Sequence, residues 1–99
     1  MLKHIVMWRV RATAELTQAE NAAEMKRALE ALRGRIPGLL AIEVGINAIP
    51  GGEASDVVLC SEFADREALA AYLKHPEHER VAEFVKEVRV ERRVADYEA

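Results

Sequence analysis

The densest run of side chains able to move protons or hold an ion is Tyr72-Leu73-Lys74-His75-Pro76-Glu77-His78. Histidine titrates near neutral pH and tyrosine donates a hydrogen bond, so the two together have the makings of general acid–base chemistry. His75 and His78 lie three residues apart with Glu77 between them, but zinc needs three or four ligands in defined geometry, so the reading goes against metal. A plainer reading stands beside the chemical one. His75 precedes a proline, which keeps it out of regular helix and suits it to cap the segment that follows. His78 is then a solvated helix residue, and Tyr72 a core ring with its hydroxyl at the rim.

His4 is the third residue of interest, set in a strand between apolar neighbours. An inward histidine there is either a satisfied core group or part of a pocket lined by Val6, Leu59 and Phe63. Trp8 and Phe63 read first as core aromatics. Arg92 and Arg93 with Glu91 read as the charged content of an edge strand. Cys60, the single cysteine, has no internal disulfide partner and reads as a small buried hydrophobe.

Several elements must position these side chains. Leu2, His4, Val6, Trp8 and Val10 share one face at period two, with Lys3, Ile5, Met7 and Arg9 on the other, which predicts a first strand. Thr17 and Glu20 form a capping box at the start of a helix. Its apolar stripe runs through Ala22, Met25, Leu29, Leu32 and Ile36, and Gly34 and Pro37 end it. Leu40, Ile42, Val44 and Ile46 alternate with Leu39, Ala41, Glu43 and Gly45. After Pro50-Gly51-Gly52 the alternation resumes at Val57, Leu59, Ser61 and Phe63, so strands two and three form a hairpin with a long turn. Asp65 caps a helix through about Lys74, and Pro76 starts a second segment to about Val88 whose buried face is Val81, Phe84, Val85 and Val88. Val90 and Val94 lead a last strand ending near Tyr97.

The order β-α-β-β-α-β predicts an α+β, ferredoxin-like protomer, with both helical regions on one face of an antiparallel sheet. At 99 residues there is room for one domain spanning 1–99. With 14 basic against 17 acidic side chains and no basic stripe interleaved with aromatics, nucleic acid is not an expected partner. The short apolar N-terminus is broken by Lys3, His4 and Arg9, which fits neither a signal peptide nor a membrane span and leaves a cytoplasmic location as the expectation.

If Val6 and Trp8 face the helices, the other face of the sheet presents Ile5, Met7, Leu39, Ala41, Val58 and Cys60. An apolar patch of that kind marks an interface, and a twofold homodimer is the commonest way to bury it.

The opening Leu2-Lys3-His4-Ile5-Val6, the central Tyr72-x-x-His75-Pro76-x-His78 and the closing Asp96-Tyr97 together resemble the stress-responsive A/B barrel (Dabb) family, over essentially the whole chain. The resemblance implies a homodimer whose sheets form a dimeric α+β barrel, and a cavity between sheet and helices. A plant member closes a polyketide ring by aldol condensation with a histidine and a tyrosine. Matched residue by residue, these fall on His78 and Tyr72, and its pocket histidine falls on His4. The implied lining is His4, Val6, Trp8, Met25, Leu29, Leu59 and Val81, with no metal or organic cofactor required. The cyclase is aromatic where this chain has Met25, Ala28, Leu29 and Val81, which implies a differently shaped cavity. Two functions follow: a cofactor-independent small-molecule enzyme of cyclase or lyase type, and a noncatalytic stress-response or assembly protein. A heme- or oxygen-using monooxygenase is suggested only by other dimeric α+β barrels.

Overall fold

The computed structural model describes residues 1–99. The alternation of the first strand, β1 (Leu2–Val10), is realised as written: Leu2, His4, Val6, Trp8 and Val10 are buried, while Met7 and Arg9 are exposed. β1 lies inside the sheet, antiparallel to both β3 (Val57–Phe63) and β4 (Arg89–Glu98), and β2 (Leu39–Ile46) flanks β3. The strand order is β2-β3-β1-β4, so β2 and β4 are the edges of a ferredoxin-like α+β fold.

Helix α1 (Gln18–Glu30) starts at the capping box, where the Thr17 hydroxyl accepts from the Glu20 amide at 3.1 Å and the Glu20 carboxylate accepts from the Thr17 amide at 2.9 Å. It stops at Glu30, ahead of the expected end at Gly34. The amides of Leu32, Arg33 and Arg35 bond to carbonyls three residues back, which tightens the chain into turns. Leu32 and Ile36 are nonetheless buried, so the apolar stripe outlasts the helix. Gly38 closes this connection with φ +84°, and a Cβ there would meet the Ala68 Cβ at 2.6 Å.

Asp65 caps α2 (Arg66–Lys74) by accepting from the Ala68 amide at 2.8 Å. His75 is extended and caps α3 (Pro76–Val88), its Nδ1 accepting from the Glu77 amide at 3.1 Å. The core fills the space between these helices and one sheet face, with Met25, Phe63 and Tyr72 fully buried.

Two expectations about the opposite face need correction. A bulge between Leu39 and Ala41 places Leu39 opposite Phe63 and packs it against the core, so Leu39 leaves the outer patch. Cys60 is exposed on that outer face, not buried. The outer patch is Ile5 opposite Cys60 and Met7 opposite Val58, flanked by Ala41 and by a Lys3–Glu62 ion pair at 3.6 Å. The edge of β2 is guarded by side chains from α1 and the turns after it: the Val44 amide donates to Glu30 at 3.0 Å, and the Val44 and Ile42 carbonyls accept from Lys26 and Arg33, each at 2.5 Å. No helix is long and apolar enough to cross a membrane.

Candidate active site

A cavity of about 550 Å³ lies between the inner face of β1 and the two later helices. Its floor is made by His4, Val6 and Trp8 of β1, with Leu59 of β3 and Leu29 of α1. Tyr72 and Leu73 enter from the end of α2, and His78, Val81, Ala82 and Val85 from α3. The break at His75-Pro76 makes this convergence possible. By ending one helix and starting another, it turns Tyr72 and His78 toward each other with ring centroids 4.3 Å apart.

Tyr72 is fully buried, so its hydroxyl is not at the rim, and that hydroxyl has no hydrogen-bond partner. His78 is half-buried, and its Nδ1 is also buried without a partner. Neither side chain satisfies the other. Buried polar atoms are normally paired, so orphans on residues bordering a cavity mark where a ligand's polar contacts could be made. Burial pushes the His78 pKa down, with the nearby Leu73 carbonyl pulling the other way, and burial raises that of Tyr72. His78 is therefore held as a neutral base at neutral pH, and Tyr72 keeps its proton.

His4 is both hydrogen-bonded and on the cavity wall. Its Nδ1 is bonded to the Asp96 carboxylate, and its ring lines the cavity 6.4 Å from Tyr72. A carboxylate only accepts, so Nδ1 carries the hydrogen and the ring orientation is set. The Ser61 hydroxyl donates to the His4 carbonyl at 2.9 Å and holds the strand beneath it.

Of the expected lining residues, His4, Val6, Trp8, Leu29, Leu59 and Val81 border the cavity. Met25 does not; it is fully buried in the core. Phe63 likewise packs against Tyr72, with centroids 4.9 Å apart, outside the lining. Two residues that the sequence reading named without a site role take site positions: Asp96, directly opposite His4, and Arg92, directly opposite Trp8. Pairing β1 with β4 and reading across from each inward β1 residue would have found both. The cavity mouth also carries Glu79, Glu83, Lys86 and Arg89. No group of three or more His, Cys, Asp or Glu side chains is gathered in a way that could hold a metal ion.

A four-stranded antiparallel sheet with its helices on one face, enclosing a pocket whose polar groups come from β1 and the α2–α3 junction, is a ferredoxin-like α+β protein. The sequence profile of the stress responsive A/B barrel domain matches residues 2–99, and the chain belongs to that family. A dimeric ferredoxin-like protein of unknown function from Bacteroides fragilis is 33% identical, covering 99% of this chain and 95% of its own, with a TM-score of 0.84. A hydroxynitrile lyase from Passiflora edulis shares the fold at 16% identity, covering 97% and 90%, with a TM-score of 0.79. A putative antibiotic biosynthesis monooxygenase from Nitrosomonas europaea does so at 19% identity, covering 100% and 98%, with a TM-score of 0.76. No curated protein matches the chain.

Proposed function

We propose that this protein is a homodimeric enzyme that carries out cofactor-independent acid–base chemistry on a small carbonyl compound held between sheet and helices. The observation that carries the reading is the pair of buried, unpartnered atoms, Tyr72 Oη and His78 Nδ1, on residues bordering one cavity. Neutral His78 takes a proton from the carbon beside a carbonyl. The Tyr72 hydroxyl donates to the carbonyl oxygen as negative charge develops there. When the resulting carbanion attacks a second carbonyl carbon, one carbon–carbon bond forms and His78 returns its proton to the new alkoxide. Polyketide ring closure and its reverse, lyase-type cleavage, are both of this type, and the name of the Passiflora edulis neighbour fits the second.

The dimer is supported by the uncovered patch of Ile5, Met7, Val58 and Cys60 and by the dimeric description of the Bacteroides fragilis relative. Burying sheet against sheet leaves each cavity, on the opposite face, intact.

The test is a turnover screen of small aldehydes, ketones and polyketide mimics. His78→Ala is expected to lower the rate on any substrate found by roughly 10²- to 10⁴-fold, the usual share of a general base, with unchanged circular dichroism. Turnover unaffected by His78→Ala would overturn the assignment.

A further inference from the structure

The cavity has further polar groups besides those of Tyr72 and His78, contributed where β1 pairs with β4. Trp8 and His4 are four residues apart on the same face of β1, about 13 Å along the strand at the usual rise. At the His4 end, β4 places Asp96 opposite; at the Trp8 end it places Arg92, with Val6 opposite Val94 between them. Only the Trp8–Arg92 pair has both members on the cavity lining, because Asp96 lies outside it, bonded to His4.

The Trp8 end is incomplete in its own right. Trp8 is 5% exposed, borders the cavity, and its indole Nε1–H has no acceptor. That group can only donate. Arg92 also borders the cavity and makes no ion pair. Glu79 and Glu83 share the mouth with Lys86 and Arg89, yet none of these makes an ion pair either, and the cations outnumber the carboxylates. Two donors of different kinds, one neutral and buried and one charged at the rim, stand directly across the β1–β4 pair with nothing to accept from them.

We propose that Trp8 and Arg92 form a carboxylate subsite, so that the natural ligand is an apolar monocarboxylic acid whose reactive carbonyl lies several bonds from the carboxylate. This rests on the enzymatic reading for the far end of the ligand only. The carboxylate accepts from the indole N–H and the guanidinium, the hydrocarbon body lies over Val6, and the carbonyl reaches Tyr72 and His78. Trp8 and Arg92 are therefore specificity-determining residues and take no part in the proton transfers.

Trp8 is the single tryptophan of the chain, so its fluorescence reports on the subsite directly. Octanoate, which has no reacting carbonyl, separates binding from turnover. Titrating octanoate into the protein is expected to give a saturable change in Trp8 emission, with octanamide binding at least tenfold more weakly. Arg92→Gln is expected to weaken octanoate roughly tenfold or more, as loss of a charge-assisted bond does. Trp8→Phe, read by calorimetry, is expected to weaken it severalfold. His78→Gln should leave octanoate affinity unchanged, whatever it does to turnover. Equal binding of octanoate and octanamide, or Arg92→Gln binding as the native protein does, would overturn the subsite. So would loss of octanoate affinity in His78→Gln, which would put the carboxylate at the wrong end. Loss of the subsite with turnover still dependent on His78 would leave the enzymatic reading standing; an intact subsite with turnover indifferent to His78 would remove that reading and keep this one.

Discussion

The two faces of the sheet are incomplete in opposite senses. On the inner face β1 presents His4, Val6 and Trp8 to a cavity where buried polar atoms lack partners. On the outer face it presents Ile5 and Met7, with Val58 and Cys60 beside them, apolar groups that lack cover. A strand with period two can carry both deficits at once because successive side chains never share a face. One deficit is met by hydrogen-bonding groups and the other by a second apolar surface. The contrast separates function from assembly along a single strand.

The largest expected effect breaks the outer face. Ile5→Lys removes roughly 1.5–3 kcal/mol of burial per protomer, and a twofold interface counts each change twice, so dimer affinity should fall by on the order of 100-fold or more. Sedimentation at several concentrations reads this; an unchanged dimer would mean the patch is not the interface.

On the inner face Tyr72→Phe keeps the ring and removes the donor. A rate loss of roughly 100-fold or more, with little change in KM, is expected if the hydroxyl meets charge that develops only in the transition state. A rise in KM alone would make Tyr72 a binding group. Asp96→Ala leaves the buried His4 ring without its acceptor and should destabilise the fold by about 1–3 kcal/mol, read as a lower melting temperature.

The smallest effect is in pH. Burial lowers the His78 pKa from its ordinary 6.5, so on acidification the unfolded chain takes up this proton before the folded one does. The His78 contribution to stability is therefore full above pH 6.5 and is lost as pH falls from there toward the folded value. The rate should rise with pH through an apparent pKa below 6.5 and then stay level through the ordinary tyrosine range, because the Tyr72 pKa is raised. The same profile in His78→Gln would show that another group titrates.

Local chemistry made much of this readable before any coordinates. The Thr17–Glu20 box, the Asp65 cap and the His75-Pro76 restart depend on residues within a turn of one another, and each stands where its sequence puts it. The end of α1 was not readable, because Gly34 and Pro37 are strong stop signals but the chain had already tightened into turns after Glu30. The Leu39–Ala41 bulge was not readable either, since one extra residue flips a side chain without changing the alternating pattern that surrounds it. Tyr72 and His78 sit in one short motif, whereas the His4–Asp96 and Trp8–Arg92 pairs join opposite ends of the chain through strand register alone. A site assembled by sheet pairing leaves little trace in the sequence around each residue.

The most direct test is a crystal structure of the protein with a bound carbonyl compound found in the turnover screen. The expected result is a dimer joined through Ile5 and Met7, with the ligand in the inner cavity, its carbonyl oxygen within hydrogen-bonding distance of Tyr72 Oη and its reacting carbon facing His78. A ligand bound elsewhere, or His78 turned out to solvent with Tyr72 satisfied by a neighbouring side chain, would contradict the reading of the inner face as an active site.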